Sequence, residues 1–186
     1  VLRDSTVRVA DVQDFDRLPT RFRALATDLE TGEAVVMGQG DLVTVLRASM
    51  SAPGVLTPVE MNGRLLVDGG LVDNLPVELA QSMGVERLIV VDVSFPLAQR
   101  DGLRSAFDIT NQMVGIMVRR STLESKKHLQ PGDVLIEPDL GPMTAIDFGR
   151  MPQVMKQGRE AANAQAPALA ALSLSAADYE RYVLQR

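Results

Sequence analysis

The residues with the clearest chemical potential are Asp68, Gly69 and Gly70, a carboxylate and two glycines that follow the apolar run Leu65-Leu66-Val67. A carboxyl group with an ordinary pKa of about 4 is a poor acceptor for a hydroxyl proton, so a general base of this type needs desolvation and close positioning. An apolar strand end supplies the first. The glycines leave room for backbone to approach a reacting centre, and their conformational freedom predicts positive φ at Gly69 or Gly70 where the chain turns the carboxylate toward a cleft. The plainer alternative is that Asp68 closes a hairpin, where Asp-Gly is common.

A base must have a nucleophile to activate, and the strand-turn-helix serine elbow G-x-S-x-G does not occur in these residues. The nearest approach, Ala80-Gln81-Ser82-Met83-Gly84, lies late in a predicted helix, and its glycine reads better as a C-cap. Ser49 and Ser51 flank a helix end without a glycine elbow and read as structural. The sole histidine, His128, follows Lys126-Lys127, which oppose its protonated form, so a surface role is expected rather than a place in a triad. One histidine and scattered carboxylates give no recognisable ligand spacing, so neither metal nor cofactor is expected. Gly38-Gln39-Gly40 lacks a third glycine and puts Asp41 where a phosphate would need positive potential.

The elements that must position Asp68 are legible as alternation and punctuation. Arg21–Thr31 and Glu33–Met37 read as two strands of a hairpin turning at Thr31-Gly32. Asp41 occupies an N-cap position before a helix over Leu42–Ser51. Val55–Glu60 and Arg64–Val67 read as a second hairpin through Asn62-Gly63, a pair suited to positive φ. Asn74 is placed to cap a helix with Pro76 in its first turn and Gly84 at its end. Arg87–Val93, nearly all apolar and β-branched, reads as a parallel strand covered on both faces, and Asp133–Glu137 as another buried strand. Leu103 to about Lys127 is a long helix with a broad apolar stripe, ending in Arg119-Arg120 and Lys126-Lys127-His128, which read as a solvated cluster at its C-terminus. Met151–Ala166 and Ala176–Leu184 read as closing helices. The pattern is α/β, with a mixed, mostly parallel sheet flanked by helices.

The composition limits what such a chain can do. With 46% hydrophobic and 23% charged residues over 186 positions, the chain can build a core as a globular domain. A net charge of −5 supplies no general field for nucleic acid, so that partner class is set aside. There is no cysteine, which excludes disulfides and thiolate sites and leaves the compartment open. No stretch approaches the roughly 20 apolar residues that span a bilayer. The chain begins at Val1 rather than methionine, which suggests a piece of a longer protein.

The segment Arg47–Val77, RASMSAPGVLTPVEMNGRLLVDGGLVDNLPV, resembles the bacterial patatin-like phospholipase family. The resemblance is carried by Arg47-Ala48-Ser49, Pro53-Gly54, Pro58-Val59, Asp68-Gly69-Gly70 and Asn74-Leu75-Pro76-Val77, and the strand Arg87–Ser94 fits the family's order. It implies a serine lipid acyl hydrolase with a Ser-Asp dyad, in which an elbow serine attacks an ester carbonyl and the aspartate accepts its proton without a histidine. Asp68 would be that aspartate. Residues 1–186 would then be the C-terminal portion of a single patatin-like domain, inactive alone because the glycine-rich oxyanion loop and the elbow both precede this region in the family. Substrate binding is expected at Gly69 and Gly70, and at Met113 and Met117 on the long helix, whose face with Phe107 and Ile116 would line an acyl-chain cavity. The expected partners are a lipid or phospholipid ester, with a membrane interface compatible, and either the missing upstream segment or a second copy to cover exposed apolar surface. The contrasting expectation is a non-catalytic α/β scaffold or binding module, and more distantly a nucleotide-binding one.

Overall fold

The computed structural model describes residues 1–141, 143 and 148–184. They fall into two compact units, Val1–Asn74 and Leu75–Arg186.

The first unit opens with a short helix, α1 (Leu2–Thr6), and an irregular stretch that inserts Phe15 fully into the core. Strands β1 (Ala24–Asp28) and β2 (Ala34–Met37) form the expected hairpin, with Gly32 at φ 73° in its connection. Helix α2 (Leu42–Ser49) follows, its N-terminus capped as expected by Asp41, whose carboxylate accepts from the Thr44 amide at 2.8 Å. Strands β3 (Val59–Met61) and β4 (Arg64–Asp68) pair across Asn62 and Gly63, both at positive φ, the conformation that sequence pair predicts. The first of these strands is shorter than Val55–Glu60. Gly54 at φ 77° turns the chain, and the amides of Val55 and Leu56 both bond Ala52 O, so the run begins as a turn.

The four strands order as β2-β1-β4-β3, all antiparallel: β1–β2 and β3–β4 are each joined by a tight turn, and β4 pairs with β1 across the chain, Ala26 opposite Asp68. Helix α2 packs against β1 and β4, and Ala24, Ala26, Met37, Val45, Ala48 and Leu66 close the core with Phe15. Every residue of β1 is buried. After β4 the chain enters a one-turn helix, α3 (Gly70–Asp73), where the sequence shows no periodicity.

In the second unit, α4 (Val77–Ser82) starts from Pro76 rather than from an Asn74 cap, and Gly84 ends it at φ 77° as expected. Strand β5 (Ile89–Val91), helix α5 (Ala106–Lys126) and strand β6 (Val134–Ile136) make a parallel strand-helix-strand unit. The α/β character holds, with the parallel pairing confined in the described residues to β5 and β6. Helices α6 (Met151–Ala164), α7 (Ala166–Ala170) and α8 (Ala176–Leu184) follow.

Two expectations fail here for packing reasons. Strand β5 is covered on one face only: Val90 is buried, whereas Ile89 is 55% and Val91 48% exposed. Lys126 is not part of a solvated cluster. Its Nζ lies 2.5 Å from buried Asp92 and 2.6 Å from Glu137, the residues that follow β5 and β6. Burial pushes the Asp92 carboxyl up, but the Lys126 ammonium and the Ser94 donors outweigh it and hold the group below the usual carboxylate range. A depressed folded-state value adds stability above the unfolded value of about 4, and that stability is lost as pH falls through the folded value. Lys126→Met should therefore cost about 3 kcal/mol at pH 7, because it strands a buried charge. Urea unfolding of both proteins from pH 7 down to pH 2 should show the difference shrinking at the acid end.

Candidate active site

Asp68 is the last residue of β4 and is half-buried. Its position is fixed from several directions. Its amide donates to Ser51 O at 3.0 Å, and its carbonyl accepts from the Thr27 hydroxyl at 2.9 Å. Its side chain accepts the Gly70 amide on Oδ1 at 2.8 Å, while Oδ2 accepts no hydrogen bond among the described residues. Desolvation raises the carboxyl pKa above its ordinary value, and the Gly70 bond only partly opposes that rise. Asp68 is thus a carboxylate with enhanced proton affinity and one oxygen open to receive a proton.

The glycines act through space rather than through unusual backbone. Neither Gly69 nor Gly70 has positive φ, contrary to expectation; Gly69 is at φ −66°, in the right-handed helical region. A Cβ on Gly69 would lie 2.5 Å from Leu25 O and 2.7 Å from Leu25 C, both main-chain atoms of the central strand. A Cβ on Gly70 would lie 2.8 Å from Asn74 Oδ1 and 3.1 Å from Asp68 Oδ1. The sharp exit from β4 therefore needs glycine because the chain crosses directly over β1.

Sequence reasoning missed Thr27 and Ser51 as partners of Asp68. The visible signal is a threonine directly after the apolar Ala24-Leu25-Ala26 run. Ser51 is fully buried, its hydroxyl donating to Arg47 O at 2.7 Å and accepting from the Arg47 guanidinium.

The other named residues lie elsewhere. Ser82 ends α4 with its hydroxyl donating to Leu79 O at 2.6 Å, a helix-end role. His128 is exposed beside Glu78, 3.4 Å away, in keeping with a surface role. Met113 and Met117 are on the outward face of α5 with Ile109 and Ile116, Met113 being 61% exposed. The inward face of that helix carries Gly115 against Leu97, Thr122 and Lys126. A cavity of about 320 Å³ in the second unit is lined by Asp92, Ser94, Arg119, Thr122, Lys126 and Glu137 among others, and the Lys126 bridges account for its two nearest carboxylates. Among the described residues no His, Asp or Glu group forms a metal cluster, and no helix is long and apolar enough to cross a membrane.

The family described as patatin-like phospholipase matches residues 2–80. The chain is 32% identical over 135 residues to lysophospholipase NTE1 of Candida albicans, an alignment covering 61% of this chain and 10% of that protein. It is 37% identical over 108 residues to an uncharacterised NTE family protein of Mycobacterium bovis, covering 58% of this chain and 29% of that protein. Lysophospholipase NTE1 of Saccharomyces cerevisiae is 32% identical over 135 residues, with 61% and 8% coverage. The chain thus spans between 8% and 29% of the length of these relatives.

Proposed function

We propose that this chain, whose residues 2–80 match the patatin-like phospholipase family, supplies the base of a Ser-Asp dyad in a lipid acyl hydrolase. The observation that carries the reading is Asp68: a half-buried carboxylate of raised proton affinity, its main chain tied down at both amide and carbonyl. The nucleophilic serine and its oxyanion donors would come from sequence upstream of Val1, making residues 1–186 the C-terminal portion of one catalytic domain.

In the reaction, the serine hydroxyl attacks the ester carbonyl carbon while its proton passes to Asp68 Oδ2. The protonated Asp68 then gives that proton to the departing alcohol oxygen as the ester bond breaks, leaving an acyl-serine. Water repeats the sequence, with Asp68 taking its proton and returning it to the serine. Desolvation serves this cycle in two ways. It makes the carboxylate a stronger base, and it strengthens the electrostatic contacts made in the water-poor site. Gly69 and Gly70 would let the substrate's reacting end approach main chain.

The names of the relatives favour a lipid monoester, since two of the three are lysophospholipases. The exposed apolar residues Ile89, Val91 and Met113 support completion by further chain. The test is to express this sequence joined to its natural upstream segment and assay release of fatty acid from a monoacyl phospholipid. The extended protein should turn the ester over, and Val1–Arg186 alone should not. If the extended protein binds but does not cleave any carboxylic ester, a non-catalytic scaffold is the better description.

A further inference from the structure

Thr27 is placed to act on Asp68 through the backbone. It is 3% exposed in the central strand, where valine would suit both the β conformation and the burial, so a hydroxyl there must earn its place through a bond. Its bond runs to the carbonyl of Asp68, 2.9 Å away and 41 residues along the chain. Strand β1 touches this stretch at three successive residues. Leu25 O closes off the space beside Gly69, Ala26 registers opposite Asp68, and Thr27 holds the Asp68 carbonyl. The peptide between Asp68 and Gly69 is the point at which the chain leaves β4 for α3, so its orientation sets the direction in which the carboxylate is presented.

We propose that Thr27 is a positioning residue for Asp68: its hydroxyl fixes the Asp68–Gly69 peptide, and through it the carboxylate that receives the serine proton. The inference rests on the Ser-Asp reading above. It differs from a purely structural role for Thr27 in predicting an effect on the chemistry of Asp68 that is out of proportion to any effect on folding. Displacement of a catalytic group by even a fraction of an ångström is costly, because productive proton transfer needs the acceptor within hydrogen-bond reach of the reacting hydroxyl.

The test compares Thr27→Val, which keeps shape and removes the hydroxyl, with Thr27→Ser, which keeps the hydroxyl. In the N-terminally extended protein, Thr27→Val should lower kcat roughly ten-fold with KM within about two-fold, and Thr27→Ser should recover most of that loss. In Val1–Arg186 itself, the Asp68 carboxyl carbon observed by NMR should titrate at a different midpoint in Thr27→Val and at the wild-type midpoint in Thr27→Ser. Unfolding by urea checks that each variant is folded. A Thr27→Val protein with wild-type kcat and an unmoved Asp68 titration overturns the proposal. Asp68→Asn, assayed alongside, separates the two claims. If it abolishes activity while Thr27→Val does not, only the positioning role is lost; if Asp68→Asn is itself active, the base assignment has failed.

Discussion

Asp68→Asn should lower kcat of the N-terminally extended enzyme by about 10² to 10⁴, the range that a positioned general base contributes, with little change in KM. The amide keeps the size of the side chain and can still accept the Gly70 amide hydrogen, so the loss would report proton transfer rather than collapse of the turn. The same substitution should stabilise the fold at neutral pH. The folded-state pKa of Asp68 is raised, so the folded chain binds its proton more tightly than the unfolded chain does. That contribution favours folding below the unfolded value of about 4 and is lost as pH rises through the folded value. At pH 7 the wild type therefore carries a desolvated charge that asparagine lacks. Thermal unfolding should show a higher midpoint for Asp68→Asn at pH 7 and a vanishing gap near pH 3. A residue kept at the expense of stability is what a functional carboxylate should look like.

Gly69→Ala should be strongly damaging, since among the glycines of the first unit with a measured Cβ clearance its added methyl meets the closest main-chain contact. Its Cβ would meet Leu25 O at 2.5 Å and Leu25 C at 2.7 Å, main-chain atoms of a residue held in register with Val36 of β2 and next to the β1–β4 pairing that starts at Ala26. We expect roughly 3 kcal/mol of destabilisation, at the upper end of overpacking costs. Gly70→Ala meets the far end of the Asn74 side chain and should cost clearly less. Gly158→Ala in α6 is the control: its Cβ would meet nothing within 4 Å and should stabilise by about 0.5–1 kcal/mol through helix propensity. Urea unfolding of the three variants gives the order directly. Equal effects at Gly69 and Gly158 would mean that the crossing over β1 is not as tight as described.

Local sequence signals suffice where a residue acts on its near neighbours. Asn62-Gly63 and Asp41 act within a few residues of themselves, through turn conformation and a cap, and both were readable. Gly69 was read as a residue chosen for φ, because sequence shows that a glycine is present but not whether it serves conformation or space; the reason lies in Leu25, far back along the chain. The long helix was found from its periodicity, yet periodicity does not say which side faces in. The apolar stripe of Ile109, Met113, Ile116 and Met117 points outward, and the helix packs instead through Gly115, Thr122 and Lys126. Lys126 departs from the expected solvated cluster for a related reason: its partners Asp92 and Glu137 follow separate strands, and only the parallel pairing of β5 and β6 brings them to one ammonium. Thr27 likewise meets Asp68 only through the register of β1 on β4.

The central claim, that Asp68 is the proton acceptor in ester hydrolysis, is tested most directly by the pH dependence of kcat/KM for the extended enzyme, read beside the NMR titration of the Asp68 carboxyl carbon. Activity should rise with pH through a single ionisation above the ordinary aspartate value of about 4, with the same midpoint as the Asp68 carboxyl. An acid limb that follows a different group, or one that persists unchanged in Asp68→Asn, would contradict the account.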